Sequence, residues 1–154
     1  MTFDLLMIFL LASAAAAATG IIFRPGAWYD ALRKPAFTPP KWAFPVAWSA
    51  IYLLSAVAAA RVATLPGAGM ALALWSAQIA LNTLWTPVFF GARQIALGMV
   101  VILTLLVTVA SMIVAFWQLD WRSALLLLPY LAWLVVAAGL NWRIWRDNPG
   151  AAGR

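Results

Sequence analysis

The chain has 154 residues, of which 66% are hydrophobic and only 9% charged, and its net charge is +6. Soluble domains carry about 25% charged residues, so this chain has too few to cover a water-facing surface. It contains neither cysteine nor histidine, which excludes disulfides, thiolate chemistry, Cys- or His-ligated metals and the commonest general base.

The first element is the charge-free run Leu5–Phe23, read as a transmembrane helix over residues 3–23. A spanning helix needs about 20 apolar residues. Its leading flank holds Asp4 and no Lys or Arg, whereas a signal peptide has a positive flank and a shorter apolar core, so the segment is read as a mature helix. Residues 24–43 follow as a long connection with four prolines, Pro25, Pro35, Pro39 and Pro40. Connections of this length in compact domains are often lids. Trp28, Tyr29 and Leu32 share one side of a short helix by their spacing. Two readings stay open, an interfacial anchor with Trp and Tyr in the headgroup belt, and a lid over a cavity.

The second span covers residues 44–64, with Trp48, Tyr52 and Ser55 on one face. Pro66-Gly67-Ala68-Gly69 then marks a loop. The third span, 69–90, places Gln78 and Asn82 one turn apart, and Trp75 and Trp85 extend that face. Its other signal is a small-residue stripe, Gly69, Ala73 and Ala77, read either as a homodimer interface or as packing within the chain. The run Ala14–Ala18 is a rival stripe. The fourth span is 94–117 and the fifth 123–145, the latter carrying Trp133, Ala137 and Asn141. Pro45 suits a first helical turn, whereas Pro87 and Pro129 are expected to kink their helices.

The predicted fold is therefore all-α: one domain, an integral bundle of five transmembrane helices. Eight basic residues, Arg24, Arg33, Lys34, Lys41, Arg93, Arg143, Arg146 and Arg154, fall on one side, against Arg61 and Arg122 on the other. The positive-inside rule puts the N-terminus outside and the C-terminus in the cytoplasm. The same rule accounts for the excess charge through anionic lipid, with no nucleic-acid partner. The acids, Asp4, Asp30, Asp120 and Asp147, all lie at segment ends or in loops. A proton-coupled pump usually carries an ionisable group inside the membrane, so coupled transport of that kind is not expected.

Polar groups within spans face the bundle interior, either as glue between helices or as the polar points of a mostly apolar pocket. The tryptophans away from the boundaries are open to the same two readings, packing or the walls of a site for a flat apolar ligand. Candidate site residues are Trp28, Tyr29, Trp48, Tyr52, Asn82, Trp85, Trp133, Ala137 and Asn141. No catalytic acid–base constellation and no metal site can be assembled, and no cofactor is required.

The sequence resembles the translocator protein / tryptophan-rich sensory protein family (TspO/MBR) over nearly its whole length. The resemblance is carried by Trp28-Tyr29 with Leu32, Lys34-Pro35, Pro39-Pro40 and Trp42; by Phe44-Pro45, Trp48 and Tyr52; by Gln78, Leu81-Asn82, Trp85, Pro87 and Phe89-Phe90-Gly91-Ala92-Arg93-Gln94; and by Pro129-Tyr130-Leu131-Ala132-Trp133, Leu140-Asn141 and Trp145-Arg146-Asp147-Asn148. It implies a homodimeric five-helix membrane protein. It implies a cavity opening toward the first loop that takes porphyrins such as protoporphyrin IX and isoquinoline- or benzodiazepine-type ligands. The implied role is that of a tetrapyrrole sensor, regulator or carrier. Two alternatives are a light-dependent porphyrin-degrading enzyme and a dimeric scaffold. The implied location is a bacterial cell membrane, with an outer or mitochondrial membrane as alternatives. Cholesterol-binding members carry a tyrosine after the Leu-Asn of the last helix; here that residue is Trp142, which argues against a sterol role. On this reading Arg24, Arg33, Lys34 and Lys41 ring the cavity mouth and meet the carboxylates of a bound porphyrin.

Overall fold

The computed structural model describes residues 1–151; Arg154, counted above among the basic residues, lies outside them. The described residues form helices and turns, with no strand. In chain order these are α1 (Phe3–Ile22), the short α2 (Ala27–Ala31), α3 (Ala43–Val62), α4 (Gly69–Thr86), a π-helical turn (Pro87–Gly91), α5 (Ile95–Leu119), the short α6 (Trp121–Leu125) and α7 (Leu128–Asp147). The long helices close into a ring, α1–α4–α5–α7–α3, returning to α1.

Composition explains both faces of the ring. Outward-facing positions are apolar and exposed, among them Phe3, Ile8, Leu11, Val107 and Val114. A surface of this kind, continuous around the bundle, belongs in hydrocarbon rather than water. Inside, Ala58, Ala59 and Val62 on α3 cluster with Val109, Met112 and Phe116 on α5 and Leu127 at the start of α7, all fully buried. Small residues on α3 let its backbone approach its neighbours closely there.

Among the described residues, four stretches are long and apolar enough to cross a membrane, namely α1, α3, α5 and the α6–α7 stretch Trp121–Asp147. α4 falls short because Gln78 and Asn82 lower its apolarity, and both side chains are buried within the bundle.

Two expectations about proline need correcting. Pro129 does not kink a continuous helix over 123–145. The chain turns at Leu126 and Leu127, between α6 and α7, and Pro129 sits in the first turn of α7. Its missing N–H costs nothing there, because first-turn amides have no intrahelical partner. At Pro87 the helix does not simply bend but widens into the π turn, where the Ala92 amide donates to the Pro87 carbonyl at 2.8 Å. Arg93 then adopts φ 56°, a left-handed conformation that redirects the chain into α5.

The far end of the bundle, where α3 and α5 finish and α6 starts, is closed by charge. Arg61 donates to Asp120 through Nε (3.0 Å) and Nη2 (2.8 Å), and also to Ser123 Oγ at 3.0 Å. Ser123 in turn donates to Asp120 Oδ2 at 2.6 Å, and Asp120 caps α6 by accepting from the Arg122 amide. The Ser123 hydrogen bond, with help from Arg61, holds the Asp120 carboxyl below the usual carboxylate range.

Candidate functional site

At the opposite, basic end the ring does not fill. α1, α3, α4, α5, α7 and the loop over them enclose a cavity of about 720 Å³. Drug-sized ligands sit in pockets of about 300–1,000 Å³. Besides Phe23 and Tyr29 at the covering connection, the aromatic side chains that keep it open come from three places. α3 supplies Phe44, Trp48 and Tyr52, α7 supplies Trp133, and the α4–π segment supplies Trp85, Phe89 and Phe90. In the last group Phe89 lies one helical turn after Trp85 and stacks on it at 4.9 Å and 18°. Gly98 on α5 lets this stack pack closely, since a Cβ there would lie 3.0 Å from the Phe89 ring and 3.2 Å from Asn141 Oδ1.

A hydrogen-bonded chain ties the floor together across three helices. The Tyr52 hydroxyl donates to Asn82 Oδ1 at 2.9 Å, Asn82 Nδ2 donates to the Tyr130 hydroxyl at 2.8 Å, and that hydroxyl donates to Gln78 Oε1 at 2.9 Å. Gln78, Asn82 and Tyr130 therefore act chiefly as interhelical ties, and Tyr52 with Asn82 also reaches the cavity wall. Trp75, left ambiguous by the sequence, points into the core and donates to Ser55 Oγ at 2.9 Å. Two polar atoms of cavity-lining residues remain without a partner among the described residues, Trp85 Nε1 and Asn141 Oδ1, while Asn141 Nδ2 donates to the Ile95 carbonyl at 3.0 Å. A buried donor and a buried acceptor left open are costly unless something in the cavity meets them.

The structure thus brings Tyr29, Trp48, Tyr52, Asn82, Trp85, Trp133, Ala137 and Asn141 to one cavity, and leaves Trp28 off its lining. Trp28 packs edge-on against Phe89 from behind at 5.9 Å and donates to the Ala151 carbonyl. Of the four loop charges, Arg24 and Lys41 reach the cavity, whereas Arg33 and Lys34 are not on its lining. The Lys34 ammonium donates to the carbonyls of Tyr29 (2.7 Å), Asp30 (3.1 Å) and Leu32 (3.0 Å). All three of its protons are thereby engaged, so it ties down the end of α2 rather than offering charge at the mouth. Lys41 pairs with Asp30 at 2.8 Å, and this hydrogen bond holds the Asp30 carboxyl below its ordinary range. Burial under the loop, followed by the Asp30 charge, pushes the Tyr29 hydroxyl upward.

Residues 24–43 cover the basic end and are fastened to the C-terminal segment. Asn148 accepts from the Arg33 amide (2.8 Å) and donates to the Arg33 carbonyl (2.9 Å), pairing with the loop as a strand would. Three lining contributions escaped the sequence reading of the site. Ala16, Ala17 and Gly20 on α1 line it, but the two alanines read only as part of a small-residue stripe and Gly20 carried no signal. Leu140 and Ile144 sit where α7 passes under the loop. Phe89 and Phe90 belong to a visible motif, but that they line the cavity is decided by how the π segment packs.

The class of protein follows from these features: a multi-pass helical membrane protein with an internal aromatic cavity beneath a fastened loop. The chain belongs to the TspO/MBR family, whose sequence pattern matches residues 6–146. It is 49% identical over 154 residues to Protein CrtK of Rhodobacter capsulatus, covering 97% of this chain and 96% of that protein. It is 47% identical to the tryptophan-rich sensory protein of Cereibacter sphaeroides, covering 96% and 94%. To the translocator protein of Homo sapiens it is 38% identical, covering 82% and 78%.

Proposed function

We propose that this chain binds a flat, largely apolar tetrapyrrole of the protoporphyrin IX class in its cavity, and that isoquinoline- or benzodiazepine-type ligands occupy the same space. It acts as a tetrapyrrole sensor, regulator or carrier. The observation that carries the reading is a cavity of about 720 Å³ with Trp48, Trp85 and Trp133 in its walls, no acidic side chain on its lining, and Arg24 and Lys41 toward the loop. A porphyrin macrocycle stacks on such walls without desolvating any charge, and its carboxylates remain beside the basic residues. The sequence offers neither His nor Cys to ligate a haem iron, so a metal-free porphyrin suits it better. Quenching of tryptophan fluorescence by protoporphyrin IX should be saturable. Undiminished affinity in the Trp48→Ala, Trp133→Ala double variant would sink this site assignment.

In the same reading α4 crosses the bilayer as a fifth span. Gln78 and Asn82 are spent inside the bundle, the exposed Ser76 returns its hydroxyl to the Leu72 carbonyl, and the rest of the exposed face, with Met70 and Leu84, is apolar. The charge asymmetry supports an N-terminus outside and a basic end in the cytoplasm of a bacterial cell membrane. The exposed stripe Gly69, Ala73 and Ala77 supports a homodimer through α4. A second reading, light-driven oxidation of bound porphyrin, draws on the same three tryptophans reaching the cavity. Illumination of the complex should then yield a chromophore that requires the folded protein and Trp133; identical bleaching of free porphyrin removes that reading.

A further inference from the structure

The bundle has a second hollow, on its outside. Between α3 and α7 lies an open groove of about 380 Å³, bounded by Ala47 and Ala50 on α3 and by Pro129, Ala132 and Val136 on α7. Trp133 and the buried Ile51 form its base, and among the described residues Trp133 alone lines both this groove and the internal cavity. One indole therefore separates the cavity from the surroundings of the bundle. In a membrane protein those surroundings are acyl chains, and among the described residues no charged or hydroxyl-bearing side chain lines the groove.

We propose that the α3–α7 groove is a lateral entry site, in which a planar apolar tetrapyrrole dissolved in the bilayer docks and then passes into the cavity as Trp133 swings aside. The inference rests on the ligand reading above. Two routes can be compared by what each must break. Entry from water beneath the loop breaks the paired Asn148–Arg33 hydrogen bonds and the Trp28–Ala151 hydrogen bond. It also takes the macrocycle out of lipid and into water, against the hydrophobic effect. Entry through the groove displaces the Trp133 ring, which Phe44 meets edge-on at 5.6 Å, and keeps the macrocycle in an apolar medium throughout. The groove walls are mostly alanine, so a flat molecule approaches the backbones closely, and Pro129 brings no amide that would need a partner. The carboxylate edge trails toward the start of α3, where Lys41 is exposed.

The test uses full-length protein in phosphatidylcholine vesicles, with protoporphyrin IX delivered from donor vesicles and association followed by stopped-flow tryptophan quenching. Ala50→Phe and Ala132→Phe fill the groove from outside and leave the cavity lining intact. Association should slow by about tenfold with the equilibrium affinity nearly unchanged, the range over which on-rates vary within one binding site. Val136→Ala widens the groove at an exposed position and should speed association, which keeps the proposal testable if the filled variants do not fold. Wild-type rates in folded groove variants overturn it. If wild-type protein shows no saturable porphyrin binding, the ligand reading fails; if it binds and the rates ignore the groove, only lateral entry fails.

Discussion

At the far end of the bundle Arg61, Asp120 and Ser123 satisfy one another, and beneath them alanine and valine of α3 pack against Met112, Phe116 and Leu127, all fully buried. At the basic end the same helices are held apart by tryptophan, tyrosine and phenylalanine, and Trp85 Nε1 and Asn141 Oδ1 stay unmatched. The difference lies in the residues α3 presents, small at the sealed end and aromatic at the open one, and in partner supply. Small residues let helix backbones meet, and a charge near a helix end is tolerable when it is fully paired. Bulky aromatics in a ring leave space between their faces. The sealed end supplies stability, and the open end spends some of it on a preformed cavity.

Breaking the seal should give the largest effect. Asp120→Ala removes the cap of α6 and strands Arg61 and Ser123, and should destabilise the protein by about 2–3 kcal/mol, read by thermal unfolding in detergent. Ligand affinity at the other end should hardly move; a large loss would mean the two ends are coupled. The same contribution is pH-dependent. Because the folded carboxyl lies below its unfolded value, its stabilisation is present above the ordinary carboxylate range and is lost as pH falls through the lowered value.

Tyr130→Phe probes the boundary between the two ends. It deletes the hydroxyl shared by Asn82 and Gln78, at about 1–2 kcal/mol, the range seen for hydrogen bonds between helices in membranes. Both stability and porphyrin affinity should fall, since Asn82 then loses its fixed orientation. A stability loss with unaltered affinity would assign the chain to structure alone.

Asn148→Ala should act on the loop and little else. The loss of its paired hydrogen bonds with Arg33 amounts to about 1 kcal/mol locally, visible as faster hydrogen exchange at the Arg33 amide with global stability unchanged. The smallest effect is expected from neutralising Arg24 and Lys41, worth about 0.2–1 kcal/mol per exposed pair. This should slow porphyrin association at low salt and leave an uncharged isoquinoline-type ligand alone. Lys34→Gln, by contrast, should loosen the end of α2 and affect both ligands alike, because that ammonium caps backbone carbonyls.

Much of this was legible in one dimension. Charge-free runs of membrane-spanning length, broken by Pro-Gly and by the basic loops, fix where helices must form, because hydrocarbon tolerates no unpaired backbone. The spacing of Trp48 with Tyr52 and of Gln78 with Asn82 fixes which side chains share a face, because the helical repeat is local. Partners across helices are not local, and the tertiary structure decided them. Tyr130 became the hub of the polar chain, and Arg61 found Asp120 from 59 positions away. Lys34 turned to backbone carbonyls, and Trp28 turned to Ala151 rather than to the cavity. The π turn at Pro87 and the helix break before Pro129 also waited on packing. A proline states only which hydrogen bond is missing, and the surrounding bundle determines whether the chain widens, turns or starts a helix there.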